Sequence, residues 1–193
     1  MAKINTRDLI LDVALVLFNE RGEGVVTSVD LAHEMNISPG NLYYHFKGKE
    51  EVVEELYAQF HARLLFTLRE VTSKASGDTK ETLAGLVVIS DVLQQFKFIS
   101  QDVRTIQECY PSLKSSLQTL FVLLLQSLEL LVSRVIDNSD ISNSQDTPSL
   151  LAQNLLYTLI NFGSYDDLLD LDEAANDKKG IAENLYLHFL PFL

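Results

Sequence analysis

Thr27-Ser-Val-Asp-Leu-Ala-His-Glu-Met-Asn-Ile-Ser-Pro-Gly-Asn-Leu-Tyr-Tyr-His-Phe-Lys-Gly-Lys49 decides the fold of this chain. It reads as two short helices joined by a tight turn. Thr27-x-x-Asp30 approximates a capping box, with Asp in place of the usual Glu or Gln, so a helix starts after Thr27. Leu31, Ala32 and Met35 face inward. Asn36 tolerates the left-handed backbone that a sharp turn requires, and Ile37 closes the turn from its apolar side. Ser38 then caps a second helix, with Pro39 at its first position, where a missing N–H costs nothing. That helix ends by about Phe46. A helix-turn-helix needs a buttressing helix, a turn of a few residues and a second helix whose N-terminal residues reach base edges. Leu42 and Phe46 point inward here, which leaves Pro39, Gly40, Asn41 and Tyr44 on the outer side. Small residues at 38–40 admit close approach of backbone to DNA. Asn41 offers both a donor and an acceptor to a base edge, adenine being the favoured partner.

Outward from this motif the chain is helical throughout. Upstream, residues 7–21 form an amphipathic helix with Thr6 as N-cap, Asp8 in the first turn and Gly22 as the left-handed terminator. Ile10, Val13, Ala14, Leu17 and Phe18 make its apolar face. Downstream, Lys47-Gly48 precedes a long helix over about 49–73, striped by Val52, Val53, Leu56, Phe60, Leu64 and Leu68. Residues 73–79 are a polar break. Asp78-x-x-Glu81 caps a helix running to about Phe98, and a shorter one covers about 101–110. Pro111 stops that helix and opens the next, over 113–136, which is apolar almost all round between Leu117 and Val132. Such a helix is expected to be central and buried. After a polar loop, Thr147-Pro148 opens a helix through about Phe162, and a final helix covers roughly 180–189. The expectation is an all-α chain of about nine helices, with a three-helix DNA-reading head at 1–50 and a helical body at 51–193.

Composition bounds the function. The 193 residues are 47% hydrophobic, with 8 glycines and 4 prolines, which favours long helices over a turn-rich β fold. The longest unbroken apolar run, Leu120–Leu125, has six residues, against roughly 20 for a membrane helix. Lys3 and Arg7 precede an apolar stretch, but Asp8 and Asp12 interrupt it and no small-x-small cleavage site follows, so a cytoplasmic protein is expected. The single cysteine, Cys109, excludes an internal disulfide. The net charge of −12 argues against nonspecific nucleic-acid binding. It is unevenly spread: residues 1–50 carry a net −2 and residues 51–193 a net −10. DNA affinity must therefore come from well-placed groups rather than from bulk charge.

Catalytic chemistry is not assembled anywhere. His33, His45, His61 and His188 are scattered, none at metal-ligand spacing with Cys or another His. Cys109 is expected to be a buried small apolar residue. The acidic stretch Asp166–Glu173 lacks the glycine and terminal glutamate of a calcium loop, and no glycine-rich phosphate loop occurs. No enzyme, no metal and no cofactor are expected.

Three stretches carry a resemblance: Arg7-x-x-Ile-Leu-x-Val-Ala-x-x-Leu-Phe-x-Glu-Arg-Gly22, Thr27-Ser-Val-Asp-Leu-Ala32, and Ile37-Ser-Pro-Gly-Asn-Leu-Tyr-Tyr-His-Phe-Lys-Gly-Lys-Glu-Glu-Val52. Together they closely resemble the TetR/AcrR family of bacterial transcriptional regulators. The resemblance covers residues 7–57 and is most specific over Leu42–Lys49. Phe96-Lys-Phe-Ile-Ser-Gln-Asp102 with Tyr110-Pro-Ser-Leu113 resembles one C-terminal subgroup. The family plan implies that residues 51–193 form a ligand-binding and dimerisation domain. It implies phosphate contacts at Thr27 and Ser28, base reading or groove approach at Ser38, Pro39, Gly40 and Asn41, and phosphate contacts at Tyr43 and Lys49, with Tyr44 and His45 flanking. Val29 departs from relatives that read guanine with an arginine there. Each assignment has a competitor: core packing for Tyr43, Tyr44 and His45, ordinary solvation for Lys47 and Lys49, and a surface charge for Arg7.

The resemblance also implies a repressor that binds a palindromic operator as a homodimer, with half-sites roughly 34 Å apart or a multiple of that. Leu151, Leu155, Leu159, Leu185, His188 and Phe189 are the candidate dimer seam. Phe66, Phe96, Phe98, Tyr110, Phe121 and Tyr157 are candidates to line a pocket for a small apolar ligand, or else fill the core. Ligand entry would shift the population toward heads at the wrong spacing. The alternative is a helical small-molecule binding protein without DNA-binding activity.

Overall fold

The computed structural model describes residues 5–138, 147–161 and 185. Among them the elements are α1 (Thr6–Arg21), α2 (Ser28–Glu34), α3 (Pro39–His45), α4 (Lys49–Lys74), α5 (Thr79–Gln95), α6 (Lys97–Ser100), α7 (Val103–Cys109), a 3-10 turn (Pro111–Leu113), α8 (Lys114–Asp137) and α9 (Thr147–Asn161). No strand occurs among the described residues, and the all-α expectation holds. The helix expected over 180–189 lies outside the described residues except for Leu185, which is helical and buried. The acidic stretch at 166–173 also lies outside them.

Two compact units make up the chain: residues 1–62 with 96–114, and residues 63–95 with 115–193. The helix-turn-helix thus shares its unit with α6, α7 and the 3-10 turn, which come from far along the sequence. α4 is one continuous helix that contributes to both units.

In the N-terminal unit, α1 buries Ile10, Leu11, Ala14, Leu17 and Phe18. Its cap is Asn5, one residue before the expected Thr6: the Asn5 side chain accepts the Arg7 N–H at 3.2 Å. Gly22 ends the helix at φ 85°, a backbone that side-chain-bearing residues rarely adopt. α1 packs on α2, α3 and α6. Val52, Val53, Leu56 and Phe60 of α4 are all at most 1% exposed. Phe60 packs against Phe96, and Phe18 against Phe98, with ring centroids 5.6 and 5.2 Å apart.

In the C-terminal unit, α5 packs on α9. Asp78 caps α5 as expected, its carboxylate accepting the Glu81 N–H at 2.9 Å. The helix stops at Gln95 rather than Phe98, because Phe96 leaves the helical region (ψ 42°) before the short turn of α6. Gly77, at φ 90°, forms the turn before α5; a Cβ there would lie 2.5 Å from the Arg134 carbonyl oxygen. Arg134 itself donates to the carbonyl oxygens of Thr72 and Ala75 at 2.9 and 2.6 Å, which ties the end of α4 to α8.

α8 buries Leu117, Leu120, Leu124, Leu128, Leu131, Val132, Val135 and Ile136. It is not buried all round, since Val122, Leu123 and Leu130 are exposed. One expectation is corrected by this helix. The span 111–137, with a mean hydropathy of 1.8 over its best window, is long and apolar enough to cross a membrane by length and composition. Counting unbroken apolar runs missed it, because isolated polar residues interrupt the runs without lowering the average. Its buried leucine face is what a core helix also shows.

Candidate nucleic-acid interface

The presentation of α3 begins with the capping of α2. Thr27 and Asp30 form a complete capping box: the Asp30 carboxylate accepts the Thr27 N–H at 2.8 Å, and the Thr27 hydroxyl oxygen accepts the Asp30 N–H at 3.2 Å. The Thr27 hydroxyl also donates to that carboxylate at 2.6 Å. These bonds hold the Asp30 carboxyl below the usual carboxylate range, the hydroxyl contributing most and the backbone N–H next. α2 then ends as a Schellman motif. Asn36 sits at φ 53°, its N–H reaches the His33 carbonyl and the Ile37 N–H reaches the Ala32 carbonyl, both at 3.0 Å. Asparagine in the left-handed position is what the sequence predicts for this turn.

Ser38 restarts the chain, its side chain accepting the Asn41 N–H at 3.2 Å, with Pro39 in the first turn of α3. Leu42 and Phe46 are 0% and 1% exposed and anchor the helix. On the other side Ser38, Pro39, Gly40, Asn41, Tyr43 and Tyr44 are all exposed. Tyr44 is 84% exposed and Tyr43 52%, so neither is a core aromatic. His45 is half-buried and meets Tyr44 edge-on, centroids 5.1 Å apart. Thr27 is exposed and Ser28 half-buried at the start of α2, and Val29 beside them is 60% exposed. The outer face thus carries an amide, hydroxyls and free edges of aromatic rings, the groups that contact bases and phosphates.

The cations are placed differently from the expectation. Arg7 is half-buried and paired rather than free. Its guanidinium stacks 4.5 Å above the Phe46 ring and pairs with Glu55 at 3.1 Å. The hydrogen bond it donates to the Glu55 carboxylate holds its pKa above its ordinary range. Arg21 pairs with Glu34 at 3.7 Å. Lys49 is half-buried, its ammonium 2.7 Å from the Glu23 carboxylate and 3.0 Å from the Glu23 carbonyl oxygen. The same carboxylate oxygen accepts the Tyr110 hydroxyl. Glu23 and Tyr110 are each 6% exposed. Burial, followed by that hydrogen bond, pushes the Tyr110 phenol well above its usual value. Lys47 is exposed. The pairings of Arg7 and Lys49 were not readable from local sequence, since their partners lie 48 and 26 residues away.

The six aromatic candidates for a ligand pocket are not brought together. Phe96, Phe98 and Tyr110 are buried in the N-terminal unit. Phe66 and Tyr157 are 67% and 63% exposed, and Phe121 is half-buried. An even spread of aromatics over an all-helical sequence does not converge on one cavity. Of the dimer candidates, Leu155 and Leu159 are 1% exposed and Leu185 is 0%, so they are already buried; Leu151 is half-buried. His188 and Phe189 lie outside the described residues. The exposed apolar residues of α9 are instead Leu150 and Tyr157, seven positions apart and so on one face. Cys109, expected to be buried, is exposed. Among the described residues no group of His, Cys, Asp and Glu could hold a metal ion.

A short helix pinned by Leu42 and Phe46 that shows Asn41, Tyr43 and Tyr44 to solvent, behind a capped partner helix, defines a helix-turn-helix protein. Residues 10–56 match the family model of the bacterial regulatory proteins of the tetR family. The match takes in α2, α3 and the start of α4, so the helix-turn-helix of this chain is similar to that of the tetR family. It is 40% identical over 89 residues to the HTH-type transcriptional repressor KstR2 of Rhodococcus jostii strain RHA1, a match covering 46% of this chain and 43% of that protein. The chain thus spans less than half the length of the curated relatives it matches. Along the whole chain the fold is that of a TetR-family transcriptional regulator from Marinobacter aquaeolei VT8, with a TM-score of 0.82 at 24% identity, covering 98% of this chain and 92% of that one. The ketosteroid transcriptional regulator KstR2 of Mycobacterium tuberculosis is similar in fold, with a TM-score of 0.66 at 20% identity over 81% of this chain and 83% of that one.

Proposed function

We propose that the protein is a cytoplasmic DNA-binding transcriptional regulator, a repressor, that reads a palindromic operator as a homodimer through α3 and the start of α2. The observation that carries this reading is the outer face of α3, where Asn41, Tyr43 and Tyr44 stand exposed while Leu42 and Phe46 hold the helix from behind. Thr27, Ser28 and Tyr43 are the phosphate contacts in this reading, with Tyr44 and His45 beside them. Ser38, Pro39, Gly40 and Asn41 approach the bases.

Release by a small apolar ligand has support in the C-terminal unit. A half-open groove of about 280 Å³ is lined by Val71 of α4, Ala75 just beyond it, Thr82, Gly85 and Val88 of α5, and Leu131 of α8, together with the charged Glu70, Lys74 and Glu81. Its walls are mainly apolar, and the buried Thr82 hydroxyl has no hydrogen-bond partner. A small, mostly hydrocarbon molecule with one polar group fits this lining. For the dimer, the exposed Leu150–Tyr157 face of α9 replaces the buried Leu155–Leu159 face as the proposed seam.

Selection of duplexes from a random pool, followed by binding titrations at several salt concentrations, tests the DNA reading. The wild type retains a palindromic duplex with affinity that falls as salt rises, because lysines such as the exposed Lys47 release counterions where they meet phosphates. Asn41→Ala then costs about 1–3 kcal/mol on the selected duplex and relaxes preference at one base position. Enrichment of no sequence at any salt would instead support a small-molecule carrier without DNA binding, the reading that the net charge of −12 favours.

A further inference from the structure

At the Glu23 carboxylate three distant parts of the N-terminal unit converge. Glu23 lies in the loop between α1 and α2, flanked by Gly22 and Gly24. Lys49 is the first residue of α4, and Tyr110 ends α7. A carboxylate buried to 6% exposure is costly unless it is paired. Here one oxygen takes both the Lys49 ammonium and the Tyr110 hydroxyl, and Lys49 adds a second bond to the Glu23 backbone carbonyl. Two of the three ammonium protons are therefore spent on a single residue. The Lys49 side chain keeps only 20% of its surface.

We propose that Glu23 is a positioning residue for the DNA-reading surface: it holds Lys49 as an internal cation rather than a phosphate contact, and it lets the α7 end act on the start of α4 through Tyr110. This rests on the DNA-binding reading of α3. The loop that carries Glu23 leads directly into Thr27 and the capped start of α2. The residue that grips it from α4 follows α3 by four positions. Both flanks of the reading helix pair are thus secured at one oxygen. Tyr110, buried and belonging to neither flank, is the third point of attachment. Loss of its hydroxyl removes a bond from Glu23 without touching any group exposed on α3.

The test uses the full chain and its selected duplex. Tyr110→Phe, Glu23→Gln and Lys49→Met each weaken binding by about tenfold, while the slope of log affinity against log salt stays at the wild-type value. Lys49→Arg, which keeps a donor for Glu23, restores most of the affinity. A slope that drops by about 0.9 on Lys49→Met would mean one lost phosphate contact and would overturn the proposal. Wild-type affinity in Tyr110→Phe and Glu23→Gln would overturn it equally. Thermal unfolding without DNA supplies the independent arm: the Glu23→Gln and Lys49→Met melting shifts overlap in the double variant because both remove the same pair. Additive shifts with duplex binding intact sink this inference alone, whereas a wild type that selects no duplex sinks the DNA-binding reading beneath it.

Discussion

Asp30 shows how much one exposed carboxylate can do. It receives the Thr27 hydroxyl and the Thr27 N–H, and its own N–H is capped by Thr27 in return. Its folded pKa is depressed, so its stabilising contribution is present above the unfolded pKa and is lost as pH falls through the folded value. Asp30→Asn should therefore reduce stability at neutral pH and flatten the acid limb of the stability curve below about pH 4. Chemical denaturation repeated at intervals from pH 7 to pH 3 checks this; parallel curves for variant and wild type would refute it. Residue-scale features of this kind were legible in the sequence because their partners lie within three positions. Thr27–Asp30, Asn36 and Ser38–Pro39 each announce a local backbone geometry. Arg7 over Phe46, and Glu23 between Lys49 and Tyr110, were not legible. Those contacts form only after helices pack, and nothing local marks a charge that will be buried against a ring or a phenol. Cys109 was misjudged for a related reason: small size suits a core, but burial is decided by the side of α7 on which the residue falls.

At the scale of the element, α3 is seven residues long and too short to be stable alone. Its existence depends on Ser38 and Pro39 at one end and on Leu42 and Phe46 beneath it. Leu42→Ala removes a fully buried side chain and should cost about 2–5 kcal/mol of unfolding free energy. Tyr44→Ala, on the exposed side, should leave stability within about 0.5 kcal/mol of wild type. Urea titrations of the two variants separate anchor from reading face, and equal losses would mean that Tyr44 is part of the core. Helix positions were readable wherever apolar residues recur over several turns. α6 was not, because four residues are less than one period of any pattern. The apolar stripe of α9 was seen but assigned outward, since periodicity identifies a face without saying whether the chain itself covers it.

For the molecule as a whole, the charge distribution and the exposed apolar surface carry the remaining consequences. A net charge of −12 leaves bulk attraction to DNA unavailable, so the proposed recognition has to be local and stereochemical. The sequence suggested a head at 1–50 and a leucine-rich body at 51–193, whereas the compact units are residues 1–62 with 96–114 and 63–95 with 115–193. It did not reveal that residues 96–114 join the head's compact unit, because such long-range packing has no local signature. On α9, Leu150 is 58% exposed while Leu155 is 1% exposed. If the proposed α9 seam pairs two copies, Leu150→Asp should leave a monomer in sedimentation velocity with its melting temperature little changed. Leu155→Ala should do the reverse, keeping the dimer while losing about 2–5 kcal/mol. A Leu150→Asp protein that sediments unchanged would move the seam elsewhere.

The sole thiol of the chain, Cys109, is solvent-facing and immediately precedes Tyr110. A maleimide dye therefore has one address on the native polypeptide, with no engineered cysteine and none to remove. A fluorophore there sits next to the phenol that grips Glu23, so under the proposed coupling its emission should respond to duplex binding. Its emission can be followed in real time as duplexes or candidate effectors are added.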